Sequence, residues 1–262
     1  MSPRGHIIFP PDALPIRYHE IPVDRILPSY WYNPSGERDE QMHFPEESIE
    51  HEIIEKSLVF ARQQMKNLRS SHGWDHVQRV LALAERIAKA EGADPFIVTV
   101  ASILHDIARE DENRSAGSLC HARLGSERAY SFLIDCGLDE RRAQHIARCI
   151  REHRFRNSEK PSTLESMVLF DADKLDSIGA IGIGRAFLFS GEVGAKLHNS
   201  DIDILSTKAY TEEDTAYREY AVKLQYIRDR IMTAEGRRLA EERTEFMTAF
   251  FRRLQEESSG RK

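Results

Sequence analysis

The chain is poor in cysteine, and the cysteines it has are not spaced to build structure. Cys120, Cys136 and Cys149 are three in number with no CxxC pair, which excludes a disulfide framework and a thiolate zinc site and fits a reducing compartment. They read as buried apolar thiols on helices. Long apolar runs are missing too. No stretch approaches the roughly 18 residues of a membrane span, and the opening MSPRGHIIFPPDALP lacks the continuous apolar core of a secretory signal. A cytoplasmic protein without a membrane partner is the expectation. Positive charge is not in excess: the net charge of −6 argues against a partner such as a nucleic-acid polymer, which is held by neutralising phosphates. An anionic substrate would need its positive charge locally, from a metal or a few Lys and Arg. Alternating strand patterns are essentially absent.

What is present is helix. With 40% hydrophobic and 31% charged residues in 262, the composition is that of an ordinary globular protein with ample core. Residues 1–45 stand apart, because eight of the ten prolines (Pro3, Pro10, Pro11, Pro15, Pro22, Pro28, Pro34 and Pro45) lie there and forbid helix interiors. Ile7, Ile8, Phe9, Ile26, Leu27, Tyr30, Trp31 and Tyr32 are too apolar for a solvated tail, so this arm is expected to pack on the rest. Covering a site and mediating homo-oligomerisation both suit it. From residue 46 onward, amphipathic periodicity predicts helices over 47–67, 74–90, 121–136, 139–153 and 162–176, and a short one near 181–189. Asp94–Pro95 opens another, carrying Ile97 to Ala108. After a polar break at 190–211, two long charged helices are predicted over 212–232 and 235–257. The fold class is all-α: one domain over 46–262 with a C-terminal helical extension.

Four places put His or Asp where a core helix should be apolar. SSHGWDHVQRV sets His76 directly before the stripe that begins at Val77. ASILHDIARE inserts His105 and Asp106 into a buried face. CHARLGSERA and IREH contribute His121 and His153. LFDADKLDSIGAIGIGR clusters Asp171, Asp173 and Asp176. Burying an imidazole beside a carboxylate is unfavourable unless each is paired. His105 and Asp106 diverge by about 100° around a helix axis, so both can face one groove. A cation there is within reach of both, with His76 and one of the aspartates arriving from neighbouring helices. Two imidazoles and two carboxylates suit Mn, Fe, Co, Ni or Zn. Gly179, Gly182 and Gly184 follow no strand and match no Walker pattern; they read as helix-packing or helix-bending glycines.

The order H…HD…D, closing in DADKLDSIGAIGIGRAF at 171–187 and followed by RLAEERTEFMTAFFRRLQEE at 238–257, resembles the HD-domain superfamily of metal-dependent phosphohydrolases, in particular a bacterial branch of small members. The resemblance covers roughly residues 50–257 and implies an HD-domain helical bundle. Carried over by position, it implies one divalent metal, Mn first and Mg, Fe, Co, Ni or Zn as alternatives, held by His76, His105, Asp106 and Asp173. Asp171 is then a group that orients or deprotonates water. Many members carry an acidic residue four positions after the dyad His, whereas Arg109 stands here, so the proton-transfer residue is left open and Arg109 becomes a phosphate contact. Lys174 and Arg185 are further phosphate contacts, and Arg79 is either a structural ion pair or one of them. His121 and His153 match second-metal positions of some branches, but in this branch are expected as hydrogen-bond donors to phosphate.

The implied activity is hydrolysis of a small phosphate ester or nucleotide by metal-activated water. Pyrophosphate removal from a nucleoside or deoxynucleoside triphosphate leads, with nucleotidase and phosphodiesterase chemistry behind it. The rival from another class is a metal-containing nucleotide-binding regulator with little turnover; a purely structural helical scaffold has no need of buried His and Asp together.

Overall fold

A computed structural model of the chain describes residues 48–68, 73–115, 117–154, 160–199 and 203–262. The arm expected over 1–45 lies outside them, as does His72, which the sequence offers either as a helix cap or as a residue supporting the site. Among the described residues the protein is all-helical, without a strand. Its helices are α1 (Ile49–Gln64), α2 (Trp74–Glu91), α3 (Pro95–Leu104), α4 (Arg109–Arg114), α5 (His121–Asp135), α6 (Glu140–Glu152), α7 (Leu164–Leu175), α8 (Gly179–Glu192), α9 (Ala216–Val222) and α10 (Ala234–Ser258).

Local chemistry sets most of these boundaries. Ser48, Asp94, Asp139 and Thr163 each accept hydrogen bonds from backbone N–H groups of the following first turn, satisfying donors that a helix start leaves unpaired. α3 is buried along its length from Phe96 to Leu104, as expected of a helix apolar on all sides, and it packs against α1, α2, α6 and α7. Each of its large aliphatic side chains contributes about 1.5–3 kcal/mol by leaving water. This central helix therefore has a well-determined position, and it delivers His105 at its C-terminal end.

Three elements differ from the periodicity. First, α3 stops at Leu104 instead of running to Ala108. His105 Nδ1 donates to the Ser102 carbonyl at 2.8 Å, and the next bonds, Ile107 N to Leu104 O and Arg109 N to Asp106 O, are three-residue turns. The side chain competes with the helical ladder, and the His–Asp dyad emerges in a tight turn. Second, the long helix predicted over 212–232 is only α9, followed by 3₁₀ turns at Leu224–Tyr226 and Arg228–Arg230. Lys223 leaves helical geometry at φ −143°, and the Gln225 side chain donates to the Ala221 carbonyl that its own backbone N–H would meet in a continuing helix, so side-chain competition ends the helix. Third, α8 is longer than the predicted 181–189. Its Gly182 is required, because a Cβ there would lie 2.3 Å from the Ser177 carbonyl oxygen. Of the cysteines only Cys149 is buried, while Cys120 and Cys136 flank α5 half-exposed.

Candidate metal centre

Six side chains from the ends of separate elements converge in the core. His76 comes from the first turn of α2, His105 and Asp106 from the turn after α3, His121 from the start of α5, His153 from the end of α6 and Asp173 from α7. All are buried except Asp173, whose side chain is 17% exposed. They form two groups: His76, His105 and Asp173, and Asp106, His121 and His153; within each, the candidate ligand atoms lie within 4.8 Å of one another. Asp106 stands between the two. Its Oδ2 is 3.8 Å from His76 Nε2 and 3.7 Å from His105 Nε2, while its Oδ1 is 3.0 Å from His121 Nε2 and 3.9 Å from His153 Nε2.

The outer face of each imidazole is occupied. His105 Nδ1 meets Ser102 O, His153 Nδ1 meets Ile150 O at 2.6 Å, His76 Nδ1 meets Asp176 Oδ2 at 2.7 Å and His121 Nδ1 meets Glu112 Oε2 at 2.5 Å. Carbonyls and ionised carboxylates accept only, so the Nδ1 atoms of His76, His105 and His153 carry the protons and, in the neutral rings, their Nε2 lone pairs face inward. His121 Nδ1 has both an acceptor, Glu112, and a donor, Arg109, beside it. Yet His76 and His105 bring their Nε2 atoms to 3.3 Å, with the Asp106 and Asp173 carboxylate oxygens beside them. Lone pairs converging without a proton between them repel unless a cation lies among them. This donor set fits a divalent ion, with partners behind each imidazole fixing its tautomer and orientation.

The electrostatics agree at the two acids and at His153, whereas at His76 burial is outweighed by the carboxylates of Asp173 and Asp176, which raise the imidazole above its ordinary value. Burial works against ionised Asp106, but Arg109 and the imidazoles of His105 and His121 hold its carboxyl well below the ordinary range. Burial likewise opposes ionised Asp173, and Lys174 and His76 outweigh it. Burial, with His121 and His105 nearby, keeps His153 far below the usual imidazole value. The acids are therefore charged and His153 neutral at pH 7, as metal ligands must be.

Of the residues expected from sequence, the structure brings together His76, His105, Asp106 and Asp173. It adds His121 and His153 as a second group able to hold a cation, where phosphate donors were expected. Asp171, expected to act on water, is not brought to the cluster. Its carboxylate accepts from Met232 N, Thr233 N and Thr233 Oγ1 at 2.7–3.1 Å, tying α7 to the start of α10. Gly236 permits this approach, since a Cβ there would lie 2.7 Å from Asp171 Oδ2. Arg79 lies behind His76, ion-paired to Asp75 and Asp176, which is the structural alternative. Arg185 also pairs with Asp176, at 2.8 Å, and Lys174 with Asp173.

Arg109 reaches His121 Nδ1 at 2.9 Å and Glu112 at 3.1 Å. With Glu112, Arg154 and Arg185 it lines a cleft of about 1040 Å³. Three site residues escape a sequence reading. Asp176 belongs to the aspartate cluster but carries no signal separating it from its neighbours. Glu112 is hidden in REDENR, which reads as a solvated face. Arg154, bonded to Glu112, follows His153 in a charged run.

Residues 73–178 match the family model described as the HD domain. The chain is 34% identical to the YpgQ protein of Bacillus subtilis over 195 residues, covering 73% of this chain and 86% of that protein. The structure of YpgQ in complex with ADP is similar at a TM-score of 0.63 and 30% identity, covering 80% of this chain and 97% of that one. An HD-superfamily hydrolase of Bacillus thuringiensis is similar at a TM-score of 0.64 and 25% identity, covering 80% and 98%. Ribonuclease Y of Borreliella burgdorferi is 34% identical over 112 residues, 42% of this chain and 20% of that protein.

Proposed function

Because the chain belongs to the HD-domain family of hydrolases, we propose that it is a metal-dependent phosphohydrolase acting on nucleotides, its reaction the removal of pyrophosphate from a nucleoside or deoxynucleoside triphosphate. The observation that carries this reading is the convergence of imidazole lone pairs and charged carboxylates beside a cleft walled by Arg109, Arg154 and Arg185. His76, His105, Asp106 and Asp173 are the ligand set for one divalent ion, with manganese the first choice. A divalent ion bound there supplies a Lewis acid for a phosphoryl oxygen and lowers the pKa of water.

The chain's own residues do the rest. Asp176 holds His76 in the tautomer that aims Nε2 inward, and Glu112 fixes the orientation of the His121 ring. Arg109, Arg154, Arg185 and Lys174 balance the phosphate charge that a chain of net charge −6 cannot offset globally. A nucleotide is the substrate class because YpgQ, the relative aligned over most of its length, was solved with ADP. No helix among the described residues is long and apolar enough to cross a membrane, and three free thiols suit the cytoplasm.

The deciding experiment is product analysis on the Mn-loaded full chain across nucleoside mono-, di- and triphosphates and simple phosphate esters. Pyrophosphate released from a triphosphate and abolished by EDTA is the expected result. Inorganic phosphate from monophosphates would make the protein a nucleotidase. No turnover, despite bound metal, would make it a nucleotide-binding regulator.

A further inference from the structure

Tyr210 is the one non-glycine residue with positive φ among the described residues, at +60°. A bulky L side chain is disfavoured there, and such strain persists only where neighbours over-determine it. They do so here. Tyr210 N donates to Asp214 Oδ2 at 2.7 Å. Asp214 is 2% exposed, and its other oxygen accepts from Arg218 Nη1 at 2.9 Å. Arg218 in turn ties back to Thr207 Oγ1 at 2.7 Å.

What this scaffold presents is an aromatic ring facing outward. Tyr210 is 78% exposed, and its ring meets Phe189 edge-on, with centroids 5.9 Å apart and planes at 80°. Both rings line the cleft beside the metal centre. The ring packs edge-on against Phe189 and leaves most of its surface open to a flat ligand entering the cleft.

The cleft's charge gives that ligand a direction. Arg109, Arg154 and Arg185 wall the end near the cluster, and Arg185 is anchored on Asp176 behind His76. α8 then runs outward from Arg185, reaching Phe189 about 6 Å further along its axis, one turn on. Glu192 and Glu219 line the same cleft, and Glu192 closes α8. Phosphates belong at the arginine end; beyond Phe189, Glu219 is paired to Lys223, and carboxylate oxygens there can accept from hydroxyls and exocyclic amines.

We propose that Tyr210, braced by Phe189, is the platform on which the nucleobase stacks while the phosphates lie toward Arg109 and Arg185. This rests on the nucleotide reading above and goes beyond it by assigning base recognition to the α8–α9 connection.

The test is calorimetric titration of the Mn-loaded full chain with ADP and, separately, with inorganic pyrophosphate. Tyr210→Ala is expected to weaken ADP about tenfold, toward the low end for loss of a stacked base, and to leave pyrophosphate unchanged. Tyr210→Phe keeps the platform and stays within about twofold of wild type. Tyr210→Gly relieves the backbone, so its melting temperature stays level or rises while ADP weakens as for Ala; a merely structural tyrosine would not show that combination. The proposal is overturned if Tyr210→Ala binds ADP as wild type does, if it loses ADP and pyrophosphate equally, or if wild type binds ADP no more tightly than pyrophosphate. Failure of the reaction is distinguishable. A chain that binds ADP through Tyr210 yet hydrolyses nothing upholds the platform and removes the enzyme, whereas turnover with ADP affinity indifferent to Tyr210 does the reverse.

Discussion

Asp171 gives the sharpest test of the structure against the motif, since the two assign it different work. In the fold it accepts from two backbone N–H groups and one hydroxyl at the entry to α10, and it is fully buried. Asp171→Ala removes those acceptors and leaves the Met232 and Thr233 amides unpaired. Leaving a buried donor unsatisfied costs about 1–3 kcal/mol, so the expected loss is about 4 kcal/mol. That is a large share of the roughly 5–15 kcal/mol of a typical domain, and in a chain of this size it lowers the melting temperature by roughly 10 °C. Asp171→Asn keeps one acceptor oxygen and is expected to lose about half as much. Thermal melts of wild type and both variants measure this, alongside turnover per folded molecule at 25 °C with metal in excess. Turnover is expected within about threefold of wild type, because nothing at the cluster changes. The opposite pattern, an unchanged melt with turnover lost by 100-fold or more, as removal of a proton-transfer group gives, would refute the structural assignment and restore Asp171 to the chemistry.

Asp176→Asn removes the carboxylate that orients His76 and is expected to weaken metal retention about 10–100-fold, read by competition with a chelator; unchanged retention would make Asp176 only an anchor for Arg79 and Arg185. Metal analysis of the purified chain is expected to give one ion, lost in His105→Ala and kept in His121→Ala; a second ion that disappears in His121→Ala would make His121 a ligand instead of a phosphate donor. Glu85 is pushed up to about 7 by burial, and its Oε1 has no partner. Its folded value lies above its unfolded one, so its favourable contribution is complete below about pH 4.5 and fades as pH rises through 7. Glu85→Gln is therefore expected to gain on wild type by up to about 3 kcal/mol between pH 5 and 8, and denaturant melts at the two pH values with no such convergence would rule this out.

Much of this was legible one residue at a time. The Asp94–Pro95 start signal and apolar periodicity located most helices, since both are properties of neighbours within a turn. Polar residues set in apolar stripes located His76, His105, His121 and His153, because burying an imidazole demands a partner wherever the fold places it. The 212–232 segment differs from its periodicity because the pattern is helical throughout, while the Gln225 side chain takes the Ala221 carbonyl and Lys223 leaves helical geometry, a competition that hydrophobic spacing does not reveal.

The sequence by itself determined an all-helical chain with a buried His–Asp cluster, for these are consequences of local periodicity and of the desolvation of polar groups. Only the tertiary structure decided what each aspartate of DADKLD does. Along one helix end Asp171, Asp173 and Asp176 point in directions about 200° and 300° apart, so one carboxylate meets α10, one enters the cluster and one lies behind His76. Which direction holds which partner depends on how α2, α7 and α10 pack, and no spacing within α7 carries that information.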